Sequence, residues 1–248
     1  MIAIRNNYEL SLMREAGRIV ALVLQEMKHL VAPGVTTGEL DRRALEVIRE
    51  HGATASFLGY RGFPASLCVS VNEEVVHGIP GERILAAGDI VSIDVGVYHQ
   101  GYHADAAVTL PVGEIPTEWA RLLQVTATSL EQGIAAAQEG NRIYDIAKAV
   151  QAWVEAAGFS VVRDLCGHGV GSSLHEAPDV PNFVSTIKGP RLQSGMVLAI
   201  EPMVNMGKAQ VYTASNQWTV VAADGLPSAH FEHTIAITPQ GAQILTLP

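Results

Sequence analysis

The sequence predicts an α+β fold built from two related halves. Three observations carry that prediction. Four amphipathic segments have helical periodicity. Two other segments are apolar, rich in β-branched residues, and end in a carboxylate. Both kinds of segment recur at nearly one spacing. Gly34 to Gly52 has the same length as Gly140 to Gly158, at an offset of 106 residues. Gly88-Asp-Ile-Val-Ser-Ile-Asp94 aligns with Gly195-Met-Val-Leu-Ala-Ile-Glu201 at an offset of 107. Each is followed by a second acid that opens a β-branched run, at Asp105 and at Glu232. This pattern reads as an internal duplication of helix, helix and strands, with halves of about 1–115 and 116–248 in one domain spanning 1–248. The halves are expected to share a mostly antiparallel sheet with helices on one side, and to bring their acids together near a pseudo-twofold axis.

Each helix has its own signals. The first runs from about Tyr8 to Leu30, with Leu12, Ala16, Ile19, Val23, Met27 and Leu30 on one stripe. The second follows Thr36, which with Glu39 has the spacing of a capping box, and carries Leu40, Ala44, Val47 and Ile48 before stopping near Gly52. The third starts near Thr117 and is expected to bury Trp119, Leu123, Leu130 and Ile134. The fourth starts after Asn141, carries Ile146, Val150 and Trp153, and stops near Gly158.

Composition narrows the function. The 248 residues are 48% hydrophobic, enough for a sizeable core, and the formal net charge is −9. That charge argues against long-range attraction to nucleic acid. Two cysteines, Cys68 and Cys166, make no disulfide framework, which fits a reducing compartment. No secretory leader and no apolar run of membrane-spanning length is visible. The expectation is a soluble cytoplasmic protein.

The chemistry lies in four acids, Asp94, Asp105, Glu201 and Glu232. Asp94 sits in Val-Ser-Ile-Asp-Val-Gly-Val and Glu201 in Val-Leu-Ala-Ile-Glu-Pro-Met-Val. Without the acid, either run would make an interior strand. A buried ionised carboxylate is very costly unless it is paired or binds a metal. Taken singly, each acid is compatible with an outward-facing position. Four acids in two matched pairs point instead to convergence, and no Lys or Arg adjoins them to offset their charge. Divalent cations are the natural counterions. Oxygen donors with one imidazole suit Mn, Fe(II), Co or Zn.

The imidazole candidate is His168, in Cys-Gly-His-Gly-Val-Gly, where flanking glycines allow close backbone approach. His175 follows in Leu-His-Glu-Ala-Pro, and His77 lies in Asn-Glu-Glu-Val-Val-His-Gly-Ile-Pro. The other six histidines, 29, 51, 99, 103, 230 and 233, are expected to be structural or exposed. The chain has no GxGxxG, GxxxxGK[ST] or HExxH motif, and Ser172 and Ser173 lack a nucleophile-elbow context.

Together these blocks resemble the methionine aminopeptidases. The matching stretches are NEEVVHGIP, GDIVSIDVGVYHQGYHADAAVT, CGHGVGSSLHEAP, GMVLAIEPMV and FEHTIAIT, in order over essentially the whole chain. The resemblance implies the pita-bread fold, two divalent metal ions per chain, and removal of the initiator methionine from nascent polypeptides whose second residue is small, by a hydroxide activated between the two ions. It implies Asp94 on one metal, His168 and Glu201 on the other, and Asp105 and Glu232 bridging both. Glu201 would act as general base. His175 would steady the scissile carbonyl or oxyanion, and His77 the leaving amide. The methionine side chain would sit among Phe57, Tyr60, Phe63, Cys68, Leu174 and Trp218. The short His168–His175 and Glu201–Glu232 intervals, and the lack of an N-terminal extension, favour type I. Partners would be nascent N-termini, with transient ribosome contact, no membrane and a monomeric state. Arg61 stands where many relatives have histidine, and Leu174 where an aromatic residue is common, so subsite preference is expected to differ. A prolidase or Xaa-Pro aminopeptidase, or a binding protein that has lost catalysis, are the alternatives on the same fold.

Overall fold

In the computed structural model, which describes residues 2–248, both N-terminal helices start on a reciprocal cap. Before α1 (Asn7–Leu30), the Asn6 side chain accepts from the Tyr8 and Glu9 amides, and Glu9 accepts from the Asn6 amide at 2.9 Å. Before α2 (Thr37–Glu50), Thr36 and Glu39 form the expected capping box: Glu39 accepts from the Thr36 amide at 2.7 Å, and Thr36 Oγ1 from the Glu39 amide at 3.2 Å. Met13, Ala16, Val20, Val23 and Met27 are fully buried along α1, and the helix is turned slightly from the expected stripe, leaving Leu12 half-buried.

The other two helices, α3 (Thr117–Ala136) and α4 (Ile143–Ala156), lie where expected; α4 buries Ile146 and Val150 as anticipated, whereas α3 presents a shifted face. The buried stripe of α3 is Leu122, Thr126, Ser129, Leu130 and Gly133; Trp119 and Leu123 are only partly covered. Small residues win this face because α3 lies close to its neighbours. A Cβ on Gly133 would stand 2.9 Å from a Val150 methyl and 3.3 Å from an Ile200 methyl. Thr126 and Ser129 satisfy their buried hydroxyls by donating to the carbonyls of Leu122 and Thr126. In α4, Val154 is buried, whereas Trp153 is 43% exposed. The cap of α4 is one residue later than expected: the Arg142 amide donates to Asp145, while Asn141 donates back to the Ala136 carbonyl.

All strand pairings among the described residues are antiparallel. One sheet has the order β1 (Thr54–Ala55), β4 (Ile90–His99), β2 (Leu67–Val71), with β5 (Tyr102–Pro111) also on β4. The β4–β5 hairpin turns through Gln100 and Gly101, whose φ values of 47° and 93° fit a two-residue turn of the primed type. A second sheet runs β15 (Gly241–Ile244), β14 (His233–Thr238), β9 (Val197–Ile200), β7 (Gly167–Gly169), β8 (Glu176–Val180). Two three-stranded sheets complete the strands: β13 (Ser228–His230), β10 (Met203–Asn205), β6 (Ser160–Val161), and β11 (Val211–Thr213), β12 (Val220–Ala222), β3 (Glu74–Val76).

Each large sheet has its own helical cover. Val20, Val23 and Met27 of α1 and Leu40 and Ile48 of α2 pack with Leu67, Ile93 and Val95. Leu130 of α3 and Ile143 and Ile146 of α4 pack with Leu198, Ile200, Ile235 and Ile237. Each such side chain contributes about 1.5–3 kcal/mol when fully buried. Backbone hydrogen bonds between Ala107 and Glu232, 3.0 and 3.4 Å long, tie the two sheets together where the acids lie. Among the described residues, no helix is long and apolar enough to cross a membrane.

A candidate metal centre at the junction of the sheets

Strand register delivers the first two acids. Asp94 pairs with Cys68 on β2 and Ala107 on β5, and Asp105 pairs with Gly96. Asp94 and Asp105 are therefore diagonal neighbours on one face of the hairpin. Glu201 directly follows β9 and Glu232 directly precedes β14. The register pair Ile200–His233 puts both at the same sheet end. His168 lies in the middle of β7, between glycines that admit nothing larger. A Cβ on Gly167 would collide with the Ala199 carbonyl oxygen, and one on Gly169 with that of Ala177.

These side chains converge. Asp105, His168 and Glu232 are buried and offer ligand atoms all within 4.8 Å of one another. His168 Nε2 stands 3.5 Å from Asp105 Oδ2 and 3.6 Å from Glu201 Oε1. His168 Nδ1 lies 2.9 Å from the Gly169 carbonyl, which can only accept, so Nδ1 carries the hydrogen. Nε2 then turns a lone pair toward two carboxylate oxygens. That arrangement is repulsive with nothing between the atoms and favourable around a cation.

The electrostatics agree. Burial first, then mutual repulsion, pushes the carboxyls of Asp94, Glu201 and Glu232 well above the usual range. Burial also raises Asp105, against the opposing pull of His168 and the Thr234 hydroxyl, which donates to Oδ1 at 2.8 Å. Asp94 Oδ1 is buried with no hydrogen-bond partner. An orphaned acceptor among like charges, with no Lys or Arg paired to any of the four, fits a divalent-cation site.

One cavity of about 160 Å³ joins this centre to an apolar wall. All thirteen candidate site residues from the sequence line it, together with Arg61, which the sequence marks as a departure near the substrate. The wall is a small cluster in which Phe63 meets Trp218 edge-on at 5.1 Å, with Phe57, Cys68 and Leu174 buried around them. Phe57 is seated by Gly96: a Cβ there would lie 2.7 Å from the Phe57 ring. Two histidines face the same space. His175 Nδ1 is 2.9 Å from the Tyr60 hydroxyl, and its ring centroid is 4.0 Å from that of His168. Burial and the neighbouring His168 push its pKa down to about 3. His77 has a φ of 61°, a strained value for a histidine, and burial lowers its pKa. Behind His175, Glu176 takes a 2.6 Å ion pair from Arg5 and accepts from the Ser173 amide, holding the loop.

The six histidines set aside from the sequence all lie outside this cavity; His103, for example, bonds Ser56, and His233 bonds Thr246. One of the six, His230, is buried beside the centre. It is 1% exposed, neither ring nitrogen has a partner, and Nε2 is 3.7 Å from Glu201 Oε2. The available signal was its spacing of two from Glu232, which on extended chain puts both side chains on one face.

The pattern described as "Metallopeptidase family M24" matches residues 11–239. A methionine aminopeptidase of Clostridium perfringens is 55% identical over 247 residues, covering 100% of this chain and 99% of that protein. The crystal structure of methionine aminopeptidase from Thermotoga maritima superposes with a TM-score of 0.98 at 44% identity, covering both chains fully. The Xaa-Pro dipeptidase from Bacillus anthracis shares the fold, with a TM-score of 0.81, but is 21% identical and only 61% of its length is covered. With its acids, imidazole and apolar wall brought together on this fold, the chain belongs to metallopeptidase family M24, among the methionine aminopeptidases.

Proposed function

We propose that this chain removes the initiator methionine from nascent polypeptides, at a centre holding two divalent ions. The observation that carries the reading is the single cavity in which the carboxylate cluster adjoins an apolar wall large enough for one side chain. A thioether suits such a wall, because sulfur packs favourably on aromatic rings like Phe63 and Trp218. Asp94 would hold one ion, His168 and Glu201 the other, and Asp105 and Glu232 both. When bound, such ions polarise the scissile carbonyl and lower the pKa of water.

The chain's own groups do the rest. Glu201 takes a proton from the attacking water and passes it to the leaving amine. His175 Nδ1 is 2.9 Å from the Tyr60 hydroxyl; with that hydroxyl as donor, Nε2 keeps its hydrogen and donates to the developing oxyanion. A pKa near 3 keeps that ring a neutral donor at neutral pH. His77, rigid in its left-handed backbone, hydrogen-bonds the leaving amide. We read the chain as one catalytic domain of type I, a monomer acting in the cytoplasm with transient ribosome contact; its two free cysteines support a reducing compartment.

The test is hydrolysis by metal-stripped protein reloaded with Mn(II) or Co(II). Met-Ala-Ser is cleaved, Ala-Pro-Ser is not, and a chelator abolishes the activity. Cleavage of the proline peptide alone would move the chain to the prolidase branch. A second expectation concerns the wall. Gly96→Ala pushes the Phe57 ring into the cavity, so KM for Met-Ala-Ser rises about tenfold while metal content holds, the scale of a mismatched methylene in an apolar pocket. Unchanged KM would remove Phe57 from the pocket.

A further inference from the structure

His230 is the one buried imidazole near the centre that the reading above leaves without a task. Its backbone is locked: the His230 amide donates to Thr109 Oγ1 at 2.8 Å, the Thr109 hydroxyl donates to the His230 carbonyl at 2.9 Å, and β13 pairs it with Met203. The side chain is almost wholly covered, and both ring nitrogens lack partners. A neutral imidazole always has one N–H and one acceptor to satisfy, and leaving both unmet in a dry interior is costly.

Glu201 is the group placed to meet it. Its backbone carbonyl accepts from the Asn182 side-chain Nδ2 at 2.9 Å. Its two oxygens face different rings: Oε1 is 3.6 Å from His168 Nε2, and Oε2 is 3.7 Å from His230 Nε2. A shift of about 0.6 Å would bring the second pair to hydrogen-bond length. His230 does not line the cavity and is not among the residues whose ligand atoms converge. Its place is behind the carboxylate.

We propose that His230 is a positioning residue for Glu201, donating Nε2–H to Oε2 so that Oε1 is presented beside His168. The inference rests on the metal-dependent reading of the site. Holding one oxygen of a ligating carboxylate fixes the direction of the other and offsets charge that nothing else nearby neutralises.

The experiment compares wild type, His230→Gln and His230→Leu. Glutamine keeps a neutral N–H donor of similar reach; leucine fills the space without one. Calorimetric titration of metal-stripped protein with Mn(II) is expected to show about 10–100-fold weaker binding for His230→Leu, the scale for loss of such a partner. His230→Gln should stay within a few-fold of wild type. In the loaded enzymes kcat follows the same order, with KM for Met-Ala-Ser little changed. Melting of the metal-free variants separates this from a packing role, because His230→Leu should be no less stable than wild type. Equal Mn(II) affinity for the leucine variant overturns the proposal.

Should His230→Leu fail to fold, the wild-type ring decides. In ¹⁵N NMR of the Zn(II)-loaded protein, assigned against His230→Gln, the expected tautomer carries its hydrogen on Nε2. A hydrogen on Nδ1 alone leaves nothing to donate and overturns the proposal. Wild type that binds no divalent metal would overturn both this inference and the reading beneath it. Wild type that binds normally beside an unaffected leucine variant would overturn the inference alone.

Discussion

Glu232→Gln is expected to abolish hydrolysis and high-affinity metal binding together, while the metal-free variant melts above the metal-free wild type. The activity loss is expected to be at least about 10³-fold, since a bound metal supplies several kcal/mol of transition-state charge stabilisation. The stability gain comes from relieved repulsion. Burial, then the charges of Asp105, Glu201 and Asp94, raise the Glu232 carboxyl above its ordinary value of 4.5. A carboxyl raised in the native state holds a proton that the unfolded chain has already released. Its penalty is therefore full above the native pKa. The penalty falls as pH drops through that value and is gone below the unfolded one. The advantage of Glu232→Gln should accordingly be larger at pH 8 than at pH 6 and shrink on acidification. The comparison must be a difference between the two chains. His175 and His230, pushed down to about 3 mainly by burial, act in the opposite sense below 6.5, where their unfolded forms take up protons first. Each kcal/mol relieved shifts melting by about 2–4 °C in a chain of this size. Metal inverts the order. At 100 times its Kd an ion adds about 2.7 kcal/mol to the wild type and little to the variant. Scanning calorimetry with and without Mn(II) at pH 8 and pH 6 reads all four states. A metal-free variant less stable than wild type at pH 8 would mean that the acids do not repel as placed.

The proposed metal ligands stand out in the sequence because the surrounding residues leave them few alternatives. Val-Ser-Ile-Asp-Val reads as an interior strand with an acid in it, and its echo at Glu201 doubles the puzzle. His168 is legible from its glycines, and the structure supplies the cause, since both neighbouring positions are closed to a Cβ by carbonyl oxygens. The helices are legible in extent but less so in rotation. Hydrophobic periodicity selects Trp119, Leu123 and Trp153, whereas close packing of α3 selects Gly133 together with Thr126 and Ser129, whose hydroxyls are satisfied within the helix; none of the three carries a hydrophobic signal. His230 fails for another reason. Its partner lies 29 residues away in sequence, and only the pairing of β13 with β10 brings the two together. The same holds for the Arg5–Glu176 pair, which spans 171 residues. Contacts set by strand order cannot be read from local composition.

His77→Ala is expected to keep its metal and lose its rate. The imidazole lines the cavity without belonging to the converging ligand group. Removing it should leave metal content unchanged while kcat falls about 10²–10⁴-fold, the range for one positioned proton donor or oxyanion partner. That corresponds to about 2.7–5.5 kcal/mol. KM should move little if His77 acts on the leaving amide as it develops charge, because such a contact is stronger in the transition state than in the bound substrate. The backbone complicates the alanine variant. With φ at 61°, alanine would be strained by about 1–2 kcal/mol, and a small structural shift could imitate a catalytic loss. Asparagine tolerates that conformation and carries a shorter side chain. His77→Asn should therefore match the alanine variant in kcat while melting closer to wild type. Steady-state kinetics on Met-Ala-Ser, metal analysis and melting of both variants make the comparison. If kcat survives in either variant and only KM rises, His77 binds substrate rather than assisting departure of the amine, and the work of stabilising the leaving group passes to Glu201 and the metals alone.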